Sequence, residues 1–123
     1  MKRLPRTIAS LAMAAALAGA AHAQEVKGLD GDWSGKLDAG AVTLTVIFHI
    51  KTADGKTAVT LDSPDQGATG IPVAGITRDG QKVSMDVQAV MGTYDGTLAA
   101  DGKSISGTWS QGGNELPLVV AKQ

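Results

Sequence analysis

The sequence predicts an all-β fold: a small antiparallel, up-and-down β-barrel of about eight strands. Three observations carry the prediction. Apolar and polar residues alternate through most segments after residue 23. Asp-Gly pairs punctuate those segments, and no window there has helical periodicity, because glycine interrupts each one. Alternation with period two gives a strand one apolar face. Asp-Gly tolerates the positive φ angles of a tight hairpin. Consecutive hairpins make a meander, and closing eight strands into a barrel removes the exposed edges.

The first residues are expected to lie outside this fold. Lys2, Arg3 and Arg6 make a positive start, and Ile8 to Ala21 is almost entirely apolar and rich in alanine. Ala21-His22-Ala23 has the small-x-small pattern that signal peptidase reads. Residues 1–23 are therefore expected to be a signal peptide, cleaved after Ala23. The apolar stretch is shorter than the ~20 residues a spanning helix needs, so no membrane span is expected in the mature chain. The chain has no cysteine to carry a lipid anchor, and Arg3 and Arg6 are not adjacent as twin-arginine export would require. The expectation is a periplasmic or secreted protein whose residues 24–123 form one domain.

Eight strands are expected, in order: Asp32–Leu37, Val42–Lys51, Lys56–Asp62, Ile71–Arg78, Lys82–Gln88, Thr93–Ala99, Ser104–Ser110 and Glu115–Lys122. The second is the clearest. Val42, Leu44, Val46, Phe48 and Ile50 share one face, and Thr43, Thr45, His49 and Lys51 share the other. Val83, Met85 and Val87 alternate with Ser84, Asp86 and Gln88 in the same way. Turns are expected at Asp54-Gly55, Asp79-Gly80 and Asp101-Gly102.

An internal echo bears on curvature. Gly31-Asp-Trp33-Ser-Gly35-Lys-Leu37 is repeated as Gly92-Thr-Tyr94-Asp-Gly96-Thr-Leu98, and Ile105-Ser-Gly107-Thr-Trp109 reverses the order. Each places an aromatic, a glycine and an aliphatic residue on one face. A strand glycine beside an aromatic marks a bend where the ring covers the missing side chain. Trp33, Tyr94 and Trp109, with Phe48, are accordingly expected in the core. In a second reading the same four line a ligand site.

Charge narrows the partners. Three of the eleven basic residues lie in the leader, so eight remain against twelve acidic, a net charge of −4. There is no basic cluster, which argues against nucleic acid and anionic membrane surfaces. With no disulfide available, a domain this small depends on packing and sheet hydrogen bonds.

The residues offer little chemistry. His49 is the sole histidine after residue 23 and, by strand parity, faces away from the core. A triad would need it beside Ser63 with Asp62 or Asp65, but no nucleophile elbow surrounds that serine. No catalytic residue is assigned. One histidine without cysteine does not make a usual zinc set, and Asp30-Gly31-Asp32 lacks calcium-loop spacing, so no metal is assigned. Gly67-Ala-Thr-Gly70 has no following lysine or helix to cradle phosphate, and no cofactor is expected.

Ser63-Pro64-Asp65-Gln66-Gly67 interrupts the alternation and is read as a loop that caps one end of the barrel. Asp62 or Ser63 can bond backbone amides ahead, Pro64 fixes φ, and Gly67 and Gly70 permit left-handed conformations. A loop on a rigid scaffold can also hold a binding site. These five residues are the tentative binding loop.

Several stretches carry a resemblance. GDWSGKL, the strand ending FHI, LDSPDQGATGIPV, GTYDGTL and ISGTWSQGGNELPLVV stand in the order seen in a small exported all-β domain. That domain precedes secreted bacterial α/β-hydrolases of the serine-aminopeptidase type. The resemblance covers Gly31 to Val120 and implies a non-catalytic accessory or binding module that engages a partner protein such as a hydrolase. An inhibitor of a hydrolase is a special case. Gly31-Asp32-Trp33 also resembles the first-strand Gly-x-Trp of lipocalins, which implies a lipocalin-like barrel. The alternative function is then a periplasmic carrier of a small apolar ligand, held near Trp33, Phe48, Tyr94 and Trp109.

Overall fold

A computed structural model describes residues 26–123; the expected signal peptide and its cleavage site lie outside the described residues. Nine strands follow in chain order: β1 (Gly31–Asp38), β2 (Thr43–Ala53), β3 (Lys56–Ser63), β4 (Ala68–Pro72), β5 (Gly75–Asp79), β6 (Lys82–Val87), β7 (Gly92–Leu98), β8 (Ser104–Gln111) and β9 (Asn114–Lys122). They form one sheet in the order β4-β3-β2-β1-β9-β8-β7-β6-β5. Every pairing is antiparallel, and all but one join neighbours in the chain. The exception, β1 with β9, joins first strand to last. The fold is all-β and curled, as the alternation predicts.

The strand count differs from the expected eight at one place. The segment expected as a single strand, Ile71–Arg78, is divided between β4 and β5. Pro72 has no N–H to donate and ends β4. The next two amides point to opposite sides, as consecutive amides in extended chain do. Val73 N–H donates to Val59 O on β3 at 3.0 Å, and Ala74 N–H donates to Asp86 O on β6 at 2.7 Å. One passage of chain thus changes partner midway and links the two margins of the sheet. There are eight passages in all, which is why the predicted turns still fall between antiparallel neighbours.

The turns differ in detail. Asp54 and Gly55 both have positive φ, 54° and 74°, as a type I′ hairpin requires. At the other two Asp-Gly pairs only the glycines, Gly80 and Gly102, are left-handed. Gly112-Gly113 makes a further two-residue turn between the paired Gln111 and Asn114.

The echo has a geometric meaning. In the β7–β8 ladder Tyr94 pairs with Trp109, Gly96 with Gly107 and Leu98 with Ile105. The third copy is reversed because its strand runs antiparallel to the second. A Cβ on Gly107 would lie 2.6 Å from Gly96 Cα, so the bend requires glycine there.

Inside, Trp33, Phe48 and Tyr94 are fully buried. Phe48 and Tyr94 stack tilted, with ring centroids 5.6 Å apart. The polar tips are satisfied: Trp33 Nε1–H donates to Leu29 O at 2.9 Å, and the Tyr94 hydroxyl lies 2.8 Å from Leu118 O and 3.2 Å from Ile105 O. Burying a large apolar side chain contributes ~1.5–3 kcal/mol, so these three are a substantial part of a core this small. Val42, grouped with the inward face by parity, precedes β2 and is 54% exposed.

The two ends of the barrel are unlike. Residues before β1 close one of them: Val26 and Leu29 are buried, Val26 N–H donates to Thr57 Oγ1, and Arg78 Nη1 donates to Lys27 O. At the other end lie the β1–β2 and β8–β9 hairpins and two single 3₁₀ turns, Pro64–Gln66 and Gln88–Val90.

Candidate functional site

A cavity of about 290 Å³ opens at that second end. Its walls are inward residues near that end of several strands. Leu37 comes from β1, Leu44 and Val46 from β2, and Leu61 and Ser63 from β3. Ala68 and Ile71 of β4, Val90 of the second 3₁₀ turn, and Trp109 of β8 complete the apolar lining. Gln66 and Gln111 supply amides at the rim. An apolar cavity of ~150 Å³ accepts benzene, so this one has room for a bicyclic molecule.

Ser63 is not on an exposed loop. It is the last residue of β3, in the inward series Val59, Leu61, Ser63, and is only 6% exposed. Its Oγ–H donates to Gln66 Oε1 at 2.8 Å. Pro64, Asp65, Gln66 and Gly67 are exposed, and form a 3₁₀ turn with Pro64 in its first helical position. Gly67, left-handed at φ 67°, ends it with its N–H bonded to Pro64 O. Asp65 Oδ2 accepts from Thr45 N–H at 2.6 Å and ties the turn to β2. Gly70, also at φ 67°, donates its N–H to Asp62 Oδ1 at 2.7 Å. Of the two residues expected to receive a backbone amide, Asp62 does so and Ser63 does not. The turn is a fixed wall of the cavity.

The opposite wall is fixed by Gln111. Its Oε1 accepts from Trp109 Nε1–H at 3.0 Å, and its Nε2 donates to Val90 O at 2.8 Å. The Trp109 indole lies over Gly92. Of the four aromatics read as ligand-lining, Trp109 alone stands on this cavity. Trp33, Phe48 and Tyr94 are buried in the packed core and do not line it.

His49 stands on the outer face of β2, opposite in direction to Ser63, so the two do not meet. Its Nδ1 is 2.7 Å from Asp32 Oδ1 on β1, and its Nε2 is 2.8 Å from Asp62 Oδ2 on β3. The hydrogen bonds to Asp32 and then Asp62 raise the imidazole above its ordinary pKa. Asp62 is held below the usual carboxylate range, first by the Gly70 amide and then by His49. Asp30, the other member of the Asp-Gly-Asp run, accepts from Thr52 N–H at 3.2 Å. These acids pin strands together.

Strand parity could have placed Ser63 inside the barrel, since it is two residues beyond the inward Leu61. Val90 had a weaker signal, an apolar residue in a connection where polar ones are usual. The approach of β4, β8 and the two 3₁₀ turns has no local signature, because it depends on closure of the sheet. Compared with known proteins, this chain matches no family model, no curated protein and no solved structure.

Proposed function

We propose that this is an exported, non-catalytic carrier that holds a small apolar ligand in the mouth of its barrel. The observation that supports it is the about 290 Å³ apolar cavity, walled by two turns that their own hydrogen bonds hold in place. A preorganised cavity binds without the cost of ordering its walls. Export rests on the leader-like residues 1–23. The test is methyl NMR of residues 24–123 titrated with naphthalene. Saturable shifts at Leu37, Leu44, Ile71 and Val90, with Val83 in the core unmoved, are expected. Ala68→Leu should fill the cavity and weaken binding at least tenfold. Shifts that are absent, or that survive Ala68→Leu unchanged, count against the carrier.

A second reading is favoured by the rim. Val42 and Met91, at 54% and 83% exposure, stand at the same end as the exposed Pro64–Gly67 turn. A partner protein docking there would cover all three, and the resemblance names a secreted hydrolase as the class. Mixing residues 24–123 with such a hydrolase in sedimentation tests it. A complex lost on combining Val42→Asp with Met91→Asp supports docking; a complex indifferent to both places it elsewhere.

A further inference from the structure

We propose that the ligand of the mouth cavity is uncharged and carries a hydroxyl, which the Ser63–Gln66 pair reads. The proposal rests on the carrier reading and adds the ligand's chemical class. Three observations lead to it.

No charged side chain lines the cavity among the described residues. A carboxylate or ammonium buried there would have no opposite charge, and desolvating it would cost several kcal/mol. Fatty acids and amines are thereby disfavoured against neutral molecules of the same size.

Apart from the aromatic core, whose polar tips are already paired, Ser63 is the one buried residue with a polar side chain among the described residues. It occupies an inward strand position where Val59 and Leu61 precede it, and a hydroxyl there gives up the stabilisation of a further aliphatic group. Its proton is directed to Gln66 Oε1, which leaves the oxygen's lone pairs for another donor. With the amide so oriented, Gln66 Nε2 carries two N–H donors and has no hydrogen-bond acceptor among the described residues. One acceptor and one donor, side by side on an otherwise apolar wall, match a hydroxyl, which donates to Ser63 Oγ while accepting from Gln66 Nε2.

The other rim amide is not available in this way. Gln111 is engaged at both ends, by Trp109 and by the Val90 carbonyl. It holds the wall, whereas Gln66, exposed at the rim beside Ser63, keeps its Nε2 without an acceptor among the described residues. The recognition is therefore one-sided: an aromatic or alicyclic body against Leu44, Ile71, Val90 and Trp109, with its hydroxyl toward the end of β3.

The experiment uses three probes of one size, namely naphthalene, 2-naphthol and 2-naphthoate, titrated into residues 24–123 by calorimetry at neutral pH. The expected order is 2-naphthol tightest by about tenfold, then naphthalene, with 2-naphthoate weakest. Ser63→Ala and Gln66→Leu should each reduce the naphthol preference to within about twofold while naphthalene still binds. If naphthalene binds but naphthol is not preferred, or its preference survives both variants, the hydroxyl reading is overturned and the carrier stands. Naphthoate binding as tightly as naphthol overturns the requirement for a neutral ligand. Binding of none of the three overturns the carrier reading and this inference together.

Discussion

The six-membered ring of Trp109 lies where a side chain at residue 92 would be: a Cβ on Gly92 would sit 2.7 Å from Cη2 of the indole. Gly92 has an ordinary extended φ, so the constraint is steric and not conformational. Gly92→Ala must displace the indole or shift β7 against β8. Overpacking of this kind costs about 1–3 kcal/mol. The urea midpoint should fall accordingly, and the mouth methyls Val90 and Ile71 should shift in NMR, because Trp109 shares their cavity. An unchanged midpoint would mean that the ring is free to move aside.

His49 joins three strands through two carboxylates, and its contribution depends on pH. Its folded pKa is raised, so that stabilisation is complete below the unfolded value of ~6.5 and is lost as pH rises through the higher folded value. Asp62 is the opposite case. Its folded pKa is lowered, so its contribution is present above ~3.9 and is lost as pH falls through the lower folded value. Both are complete between about pH 4 and about pH 6.5. The urea midpoints of the parent and His49→Gln should differ most near pH 5–6 and converge as the solution becomes alkaline. The imidazole should titrate above ~6.5 by NMR. A difference that grows with pH would contradict the assignment.

Much of this fold is legible from residue parity, and the exceptions have physical causes. Trp33, Phe48 and Tyr94 occupy the inward positions that alternation gives them, and His49 the outward one. The split of Ile71–Arg78 was not legible. A partner change between Val73 and Ala74 depends on which strands close the sheet, and that closure is non-local. The candidate site was half legible. The Ser63–Gly67 stretch announces a turn through Pro64 and Gly67, but the direction of Ser63 depends on β3 continuing to that residue. That Trp109, and not Trp33, stands at the mouth follows from which end the residues before β1 close.

Tyr94 is the chain's single tyrosine, and burial raises its pKa far above the ordinary phenol value. Ionised, it would lose its donor to the carbonyls of Leu118 and Ile105. Alkaline titration followed at the phenolate band should therefore show no phenolate until the protein unfolds, and the two transitions should coincide. Tyr94→Phe removes the donor to buried carbonyls and should cost about 1–2 kcal/mol. Phenolate absorbance appearing in the folded protein would contradict the packed setting.

Met91 ends the Gln88–Val90 turn in a left-handed conformation, φ 55° and ψ 41°, while its side chain is 83% exposed. For an L-residue other than Gly, Asn or Asp that conformation costs roughly 1–2 kcal/mol. Little packing offsets it, although the Met91 N–H bond to Gln88 O at 3.0 Å is a backbone bond that any residue but proline keeps. Met91→Gly should relieve the strain, and the added freedom of glycine in the unfolded chain returns part of the gain. A net stabilisation of about 0.5–1 kcal/mol is expected, read as a higher urea midpoint with an unchanged slope. The same variant separates the two functional readings. Naphthalene binding should persist, because Val90 and not Met91 lines the cavity, whereas a partner docked on the rim would lose one of its apolar contacts. A fall in stability would mean that the exposed thioether packs in solution.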